Sequence, residues 1–394
     1  MRIALVTHNF PRFAGDAAGS FVLRLARALE DAGTAVHVLA PAAAGLTERD
    51  TIEGVSVQRV SYARADRQTL AYGGTMAETV RASWSGRFAL LGLLRAMRRA
   101  TAHALHEARR SGAPYDVVHA HWWFPSGLAL WKSGWLRTGT SPLVITMHGS
   151  DVRLARGVKP AHGVMRAVLG QARVVTAVSS WLANEAMRIA PETKVLVSPM
   201  PVRTDAFAPA HDARSGRLLF VGRLNAQKGA ADLLDALART TQDVHCDIIG
   251  DGPDREQLQA RARTLGVESR ITWHGALPSP ALAHFYTRAL ATVMPSREEG
   301  LGLVAVESQL CNTPVIAYDS GGLRDVVDPQ AGGTLVLTGD TAALARAIDA
   351  FAESPVHAAE LGAAARHHVL ARFSPEHVAS RYVQLYTSAM SGTR

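Results

Sequence analysis

The segment RIALVTHNFPRFAGDAAGSFVLRLARALEDAGTAVHVLAP, residues 2–41, decides the fold. Residues 2–8 form a short apolar run that predicts a strand. Residues 21–33 have apolar positions at helical spacing and end in Gly33, which predicts a helix and its termination. Residues 35–41 are again mostly apolar and predict a second strand. The segment therefore predicts a β-α-β unit, from which parallel sheets are built.

Short apolar strands and helical segments continue to alternate along the rest of the chain. Such alternation favours parallel sheets that are covered by helices on both faces. The predicted fold class is therefore α/β, with doubly wound parallel sheets. The further predicted strands are residues 116–121, 143–149, 172–180 and 194–199 in the first half and residues 217–224, 244–252, 270–275, 291–296, 313–318 and 333–338 in the second.

The chain is long enough for two domains, because it has 394 residues and single hydrophobic cores stop growing at about 250–300. Residues 199–216, PMPVRTDAFAPAHDARSG, contain three prolines and no sustained apolar period. This composition predicts an interdomain linker. We therefore predict domains at residues 1–198 and 217–372, and a C-terminal helix at residues 373–394 that can return to the first domain.

The composition is that of a soluble globular protein, with 47% hydrophobic and 19% charged residues. Cys246 and Cys311 have neither metal-ligand nor disulfide spacing, so we expect buried free thiols. The N-terminal apolar run is too short for a secretory signal, and no window approaches ~18 uncharged apolar residues. We expect a cytoplasmic protein without a membrane-spanning helix.

The net charge of +8 suits phosphate-bearing ligands, nucleic acid or an anionic membrane surface. Residues 87–110, RFALLGLLRAMRRATAHALHEARR, place arginines between leucines that recur at helical spacing. We interpret this segment as an amphipathic helix. It either packs only on its own domain or also makes a peripheral contact with the inner face of a membrane.

Two carboxylates flank a glycine-containing apolar run in MPSREEGLGLVAVESQL, residues 294–310. One interpretation is an ordinary buried helix with Ser296 as its N-cap. If Glu299 and Glu307 are both helical, they lie ~12 Å apart along the axis, too far for the paired carboxylates of a glycosidase. A longer ligand fits this spacing, and free N–H groups at residues 300–303 could bind an anion between the acids. The pattern suggests a sugar, a diphosphate and a ribose.

Two cations follow a predicted strand in FVGRLNAQKG, residues 220–229. Ligands of open parallel sheets bind beyond the carboxyl ends of the strands, which is where Arg223 and Lys228 lie. Fixed cations at that position could clamp a diphosphate and stabilise the charge that develops as it leaves. The alternative is a pair of solvated surface cations.

Strand ends in the first half carry a glycine, histidines and tryptophans. Gly19, in GDAAGS, could bring backbone amides near a phosphate, although neither G-x-G-x-x-G nor a P-loop is present. His148, in ITMHGSD, is a candidate site residue. In HAHWWFPSG, His121 and Trp122 are candidates for substrate contact, although Trp122 and Trp123 could instead pack the domain edge. We expect His119 to point into its own domain.

The segment VGRLNAQKG, followed by PSREEGLGLVAVE, resembles a known pair of family patterns. These are the G-R-x-x-x-x-K-G and E-x7-E patterns of the retaining, nucleotide-sugar-dependent glycosyltransferases of family 4, also called group 1. The resemblance covers nearly the whole chain and implies the GT-B fold, in which two doubly wound Rossmann-like domains face each other across a cleft. It also implies transfer of a hexose-type sugar, with retention, from a nucleotide diphosphate donor to an acceptor hydroxyl of a glycan, a glycolipid or a small molecule.

The resemblance also implies residue roles. Glu299 would contact hydroxyls of the donor sugar, Glu307 those of the ribose, and His148 the sugar near the reacting carbon. The catalytic residues that it implies are His148, Glu299, Arg223 and Lys228. The donor-binding residues are Gly19, Arg223, Lys228, Glu299, Gly302, Leu303 and Glu307, and the candidates on the acceptor side are His121 and Trp122.

Two positions depart from the family pattern: Ala18-Gly19 replaces Gly-Gly, and Glu298 is a second candidate acid beside Glu299. No Asp-x-Asp follows a predicted strand, so we expect no metal and no cofactor other than the nucleotide-sugar co-substrate. The expected partners are this donor and an acceptor, with no nucleic acid. The alternatives are an epimerase or a phosphorylase with the same fold, or a basic binding module for nucleic acid or anionic lipid.

Overall fold

The computed structural model describes residues 1–68, 70–72, 76, 79–80, 83–131, 141–209 and 214–392. The chain divides into a first unit, Met1–Pro201 with Pro375–Arg394, and a second unit, Val202–Ser374. Residues 210–213 of the predicted linker lie outside the described residues. Of the rest of that segment, residues 199–201 belong to the first unit, and Phe207 packs in the second with its ring 5.8 Å from that of Tyr286.

A largely parallel sheet forms the centre of the first unit. In the described residues its strands are β1 (Arg2–Val6), β2 (Ala35–Pro41), β3 (Arg49–Ile52), β4 (Val55–Val60), β5 (Val117–His121), β6 (Leu143–Met147), β7 (Val174–Ala177) and β8 (Val195–Val197). Their order across the sheet is β3-β4-β2-β1-β5-β6-β7-β8. The order reverses between β1 and β5, which is the kind of position where doubly wound sheets bind ligands.

The edge of this sheet is antiparallel, which the sequence analysis did not predict. β3 pairs with β4 in antiparallel register, and Glu53 and Gly54 connect them with φ values of 47° and 91°. Two consecutive residues with positive φ are typical of the type I′ turn that matches the twist of a two-residue hairpin. The sequence signal for this hairpin is a glycine that follows a polar residue between two segments in which apolar and polar residues weakly alternate.

The second sheet is parallel throughout the described residues. Its strands are β9 (Leu218–Val221), β10 (Cys246–Ile249), β11 (Ile271–Gly275), β12 (Ala291–Met294), β13 (Val315–Tyr318) and β14 (Thr334–Val336). Their order is β11-β10-β9-β12-β13-β14, so the reversal falls between β9 and β12. Every predicted strand has a counterpart, whereas β3 and β4 have no predicted segment. The other strands are equal to or shorter than their predicted segments, because mostly polar and glycine residues at the strand ends leave the hydrogen-bonded ladder.

Helices cover both sheets, as the helical spacing of apolar residues predicts. The longer α-helices of the described residues are α1 (Ser20–Asp31), α2 (Trp84–Arg110), α3 (Ser150–Gly157), α4 (Ala161–Leu169), α5 (Ser180–Ile189), α6 (Ala230–Leu237), α7 (Arg255–Thr264), α8 (Ser279–Arg288), α9 (Leu303–Leu310), α10 (Thr341–Glu353), α11 (Pro355–Phe373) and α12 (Pro375–Ser391). In α1, the buried positions Val22, Leu25 and Leu29 follow the i, i+3, i+7 spacing of one helical face.

The C-terminal helix α12 belongs to the first unit. Its Tyr382 and Tyr386 are fully buried. The hydroxyl of Tyr386 lies 2.8 Å from Nδ1 of His119, and the hydroxyl of Tyr382 lies 3.3 Å from Oγ1 of Thr146. Because buried phenols need hydrogen-bond partners, these contacts anchor the helix against β5 and β6.

Candidate active site

A lysine and a glutamate from two neighbouring strand ends meet in the second unit. Lys228 follows β9 and Glu299 follows β12, the parallel strands between which the sheet order reverses. Nζ of Lys228 donates to Oε2 of Glu299 at 2.5 Å. The side chains remain 23% and 15% exposed, so solvent reaches the pair. This is the position at which doubly wound sheets bind ligands.

Contacts with its backbone hold the loop that carries Lys228 in place. Oδ1 of Asn225 accepts the N–H of Lys228 at 3.1 Å. Gly229 has φ 70°, and a Cβ at that position would lie 1.9 Å from the carbonyl oxygen of Pro295. Only glycine allows the two loops to approach this closely. Arg223 has an exposed side chain that contacts none of the described residues through a hydrogen bond or ion pair.

The adjacent acids Glu298 and Glu299 differ in their surroundings. The carboxylate of Glu299 accepts a hydrogen bond from Lys228. The backbone carbonyl of Glu298 instead accepts one from Nε2 of Gln227 at 2.7 Å. The carbonyl of Glu299 accepts the N–H of Gly322 at 2.8 Å. A Cβ on Gly321 would lie 2.2 Å from that same carbonyl oxygen. The Gly-Gly pair after β13 therefore fixes the backbone of Glu299, a role that the sequence analysis missed.

Helix α9 begins at Leu303, so the interpretation of Ser296 as its N-cap is wrong. Gly302 takes the N-cap position with φ 95°, and a Cβ there would lie 2.6 Å from Cδ2 of Leu323. Glu299 consequently precedes the helix, and of residues 300–303 only Leu303 belongs to its first turn. The N–H groups of that turn have no partner four residues earlier in the helix, and the helix dipole favours an anion beside them.

Glu307 lies one turn further along α9 and contacts a buried tyrosine of α8. The hydroxyl of Tyr286 donates to Oε2 of Glu307 at 3.1 Å. Tyr286 is fully buried, and burial together with the adjacent carboxylate raises its pKa well above the usual value. The phenol therefore stays protonated and orients the carboxylate. Nothing in the sequence of α8 pointed to this tyrosine.

In the first unit, His148 follows β6 and its backbone is held by a buried aspartate. Asp151 is 2% exposed and its carboxylate accepts the N–H groups of four residues, which are Trp123, His148, Gly149 and Val152. Burial raises the pKa of Asp151 to about 6 in spite of these hydrogen bonds. A carboxylate that binds four N–H groups fixes the turn on which His148 lies.

Three other aromatic rings surround the imidazole of His148. Its ring centroid lies 5.1 Å from that of Phe21, 4.3 Å from that of Trp122 and 5.1 Å from that of His121. Nε2 of His148 lies 2.9 Å from Nδ1 of His121. The sequence analysis did not anticipate Phe21, which lies in the first turn of α1, because a phenylalanine in an amphipathic helix is normally a core residue.

His121 and Trp122, the acceptor-side candidates, are buried here. His121 is fully buried and Trp122 is 4% exposed. Trp122 has φ 65°, and its Nε1 donates to Oγ of Ser150 at 3.1 Å. Both side chains contact the ring of His148, and their contact with an acceptor stays a prediction. His119 points into its own unit as expected, since Nε2 faces Oγ1 of Thr146 at 2.7 Å.

Gly19 is the N-cap of α1, with φ 64°. A Cβ at this position would lie 2.4 Å from the carbonyl oxygen of Asn9. The glycine therefore lets the loop after β1 lie against the start of the helix. Its predicted proximity to a phosphate is compatible with this position but stays a prediction.

Burial lowers the pKa of four histidines that lie in or just after β1, β5 and β6 of the first unit. It lowers the pKa of His8 and of His119 to about 3. It also lowers the pKa of His121 and of His148 well below the usual value, and the neighbouring histidines add to that effect. These four imidazoles are consequently neutral at neutral pH.

The described residues contain no cluster of three or more His, Cys, Asp or Glu side chains arranged to hold a metal ion. Cys246 and Cys311 are buried free thiols, as expected, and burial raises the pKa of both. No helix among the described residues has the length and apolar character needed to cross a bilayer.

Comparison with known proteins identifies the class of enzyme. Residues 202–368 match the family model for glycosyl transferases group 1, and residues 18–206 match that for glycosyltransferase family 4. The D-inositol 3-phosphate glycosyltransferase of Thermobispora bispora is 34% identical over 95% of this chain and 91% of its own length. The protein of the same name from Acidothermus cellulolyticus is 34% identical over 73% of this chain and 70% of its own.

Solved structures agree on the fold. Sucrose-phosphate synthase from Thermosynechococcus elongatus superimposes with a TM-score of 0.77 at 23% identity and covers all of both chains. The Anabaena protein HepE, solved with UDP, gives a TM-score of 0.71 at 16% identity over 98% of this chain and all of its own. The protein is thus a glycosyltransferase with the GT-B fold. More specifically, the chain belongs to glycosyltransferase family 4, in agreement with the resemblance of its lysine and glutamate motifs.

Proposed function

We propose that this enzyme transfers a hexose-type sugar from a nucleoside diphosphate to an acceptor hydroxyl, with retention at the anomeric carbon. The observation that carries the proposal is the Lys228–Glu299 pair, which lies beside the start of α9 at the carboxyl edge of the second sheet. A cation, a carboxylate and the backbone N–H groups of Leu303 and Val304 match the phosphates and hydroxyls of such a donor. The N–H of Ala305 is instead bonded to the carbonyl of Gly302 at 2.9 Å.

The proposed roles follow the chemistry of each group. Lys228 and Arg223 bind the diphosphate and stabilise its charge as it leaves, together with the N–H groups of α9. Glu299 accepts hydrogen bonds from the donor sugar, and Glu307 accepts those from the ribose. His148 contacts the sugar near the reacting carbon. Because fixed cations can perform the electrostatic work of a metal, we propose that transfer needs no metal ion.

In the proposed reaction the acceptor oxygen bonds to the anomeric carbon on the face from which the diphosphate departs. The bond from the anomeric carbon to the phosphate oxygen breaks, and the acceptor proton passes to the leaving phosphate. The products are the glycoside and a nucleoside diphosphate. Uridine is the first nucleoside to test, because the structurally similar HepE was solved with UDP and with UDP-glucose.

Two acceptor classes have specific support. The related proteins named D-inositol 3-phosphate glycosyltransferase favour a phosphorylated polyol. The outer face of α2 favours an acceptor carried by a lipid, since Trp84, Phe88 and Leu91 are 73%, 69% and 47% exposed. These residues share one helical face, and Arg95 and Arg99 continue it as exposed cations. We propose that this face contacts an anionic bilayer.

The experiment is an incubation with UDP-, GDP-, ADP- and TDP-glucose, each with D-inositol 3-phosphate or with lipid-extracted acceptors. We expect release of one nucleoside diphosphate that depends on the acceptor and is unaffected by EDTA. The NMR coupling constant of the anomeric proton should show that the product has the same anomeric configuration as the donor. Inversion would refute retention, and loss of activity in EDTA would refute metal independence. Isomerised donor without release of the diphosphate would support the epimerase alternative.

Two adjacent acids provide a matched comparison for this assay. Glu299→Gln removes the carboxylate that pairs with Lys228, and we expect turnover to fall about 100-fold or more, as for a group that contacts the reacting sugar. Glu298→Gln changes the neighbouring side chain by the same chemistry and should retain most of the activity. Equal effects would contradict the assignment of Glu299.

A further inference from the structure

A ring nitrogen of His121 and a ring nitrogen of His148 lie within hydrogen-bond distance of each other. His121 ends β5 and His148 follows β6, the adjacent parallel strand. Nδ1 of His121 lies 2.9 Å from Nε2 of His148, and the two ring planes are inclined by 24°. At this distance one nitrogen must carry a hydrogen and the other must accept it.

Both rings are neutral, because burial disfavours their charged forms. A neutral imidazole has one N–H and one unprotonated nitrogen. A single hydrogen therefore lies between the two rings, and its position determines the tautomer of each. Either His121 donates from Nδ1, or His148 donates from Nε2.

The other nitrogen of His121 distinguishes these arrangements. Nε2 of His121 is buried and has no hydrogen-bond partner among the described residues. If it carried the hydrogen, a buried N–H would lack an acceptor, which proteins tolerate less well than an acceptor without a donor. The favoured state of His121 thus has its hydrogen on Nδ1 and donates it to His148.

This choice fixes the tautomer of His148. Since Nε2 of His148 accepts, its own hydrogen must be on Nδ1. We propose that His121 is a positioning residue that holds His148 as the Nδ1–H tautomer, so that His148 donates a hydrogen bond to a substrate oxygen and does not act as a base. The assignment of the substrate rests on the proposed function, but the tautomer does not.

The surroundings of both rings support a fixed geometry. Phe21 and Trp122 contact the ring of His148. The ring of His119 lies 4.3 Å from that of His121, and His119 is itself held by Tyr386 and Thr146. These contacts restrict ring rotation, so the hydrogen bond between the two histidines can act on a defined orientation.

The direct test is two-bond nitrogen–proton NMR on protein with ¹⁵N-labelled histidine, with the signals of His148 assigned by their loss in His148→Gln. We expect a protonated Nδ1 and an unprotonated Nε2 for His148 at neutral pH. A protonated Nε2 in the wild-type protein would overturn the proposal, whether or not any transferase activity is found.

Three variants test the positioning role. His121→Leu keeps a similar volume without a donor, His121→Asn can place an amide N–H near the former Nδ1, and His8→Leu changes another histidine of the cluster. We expect the tautomer of His148 to change in His121→Leu, to be retained in His121→Asn and to be unaffected in His8→Leu.

The kinetic readout separates positioning from simple packing. We expect kcat to fall about 10- to 100-fold in His121→Leu with the donor KM little changed, as when an orienting hydrogen bond is lost, and to recover in His121→Asn. Equal loss in both variants, with the tautomer of His148 unchanged, would show that His121 only fills space. Absence of transfer by a protein with the expected tautomer would refute the proposed function and leave the tautomer assignment standing.

Discussion

Two glutamates of the second unit have different neighbours, and these neighbours suggest different tasks. Glu299 contacts a flexible lysine side chain that a ligand can displace or share. Glu307 contacts the fully buried phenol of Tyr286, which holds it in one orientation. We therefore expect Glu299 to respond to the transferred sugar and Glu307 to provide a fixed acceptor for donor hydroxyls.

Tyr286→Phe tests the fixed acceptor. The substitution removes one hydrogen bond to a carboxylate, worth about 1.5 kcal/mol or more, so we expect the Kd for the nucleoside diphosphate to rise about 10-fold or more with kcat little changed. Tyr318→Phe is the matched control, because Tyr318 is also buried and donates to a carboxylate, that of Asp232, at 3.0 Å. A rise in Kd as large in the control as in Tyr286→Phe would contradict the role of Tyr286.

At the scale of elements, the backbone approach between two loops positions the lysine. Gly229→Ala would place a Cβ 1.9 Å from the carbonyl oxygen of Pro295, at φ 70°. We expect the second unit to lose about 3 kcal/mol of stability, together with nucleotide binding. Urea unfolding measures the first effect, followed by the difference in fluorescence between each protein and its Trp273→Phe counterpart, because the other six tryptophans lie in the first unit. Calorimetry measures the second effect.

Gly266→Ala is the control for that substitution. Gly266 has the same φ of 70° but no atom within 4 Å of an added Cβ. It should lose only the cost of the left-handed conformation, about 1–2 kcal/mol, and should bind nucleotide normally. If both variants behaved alike, the close approach of the loops would not be what holds Lys228.

Helix α2 provides the test of the proposed bilayer contact. We expect Trp84→Ser/Phe88→Ser to reduce sedimentation with phosphatidylglycerol vesicles by about 10-fold or more, because two large apolar side chains no longer enter the interface. Added salt should weaken the wild-type binding, since the arginines of α2 contribute. Val356→Ser is the control, because Val356 is 74% exposed but lies in the second unit. If the wild-type protein did not sediment with these vesicles, the proposed contact would be refuted.

Several elements and site positions could be predicted from local sequence, and others could not. Strand interiors followed from apolar runs, and so did the positions of Lys228 and Glu299 just after strands, whereas their roles in a site stay predictions. The start of α9 at Leu303 depended on the contact between Gly302 and Leu323, which are 21 positions apart in the chain. Likewise, Tyr286 meets Glu307 only through tertiary packing. Local pattern predicts which residues end strands, but not which distant residues support them.

At the scale of the whole molecule, the histidines whose pKa is lowered are concentrated in the first unit. Burial lowers the pKa of His37 to about 4, in addition to the four histidines around the site. In the second unit, His368 is the described histidine whose pKa is lowered. Because the lowered values lie below the unfolded value of about 6.5, stability is fully present above that pH and is lost as pH falls below it.

We therefore expect the first unit to lose stability faster than the second between pH 6.5 and 5, by up to about 1.4 kcal/mol per pH unit for each histidine. Asp151 acts in the opposite direction, since its pKa is raised to about 6 and its protonation offsets one histidine. Trp273→Phe leaves tryptophans only in the first unit, so its fluorescence reports that unit, and the difference between its fluorescence and that of the wild type reports the second. Parallel losses in both units would contradict this expectation.

The most direct test of the central claim is calorimetric titration with UDP, GDP, ADP and TDP. The protein should bind one of them, and Lys228→Ala should weaken that binding about 10-fold or more, because a charged hydrogen bond to the diphosphate is lost. Lys194→Ala, an exposed lysine at the amino end of β8 in the first unit, should bind like the wild type. Failure of the folded protein to bind any of the four, or equal binding by Lys228→Ala, would contradict a nucleotide-sugar site at the Lys228–Glu299 pair.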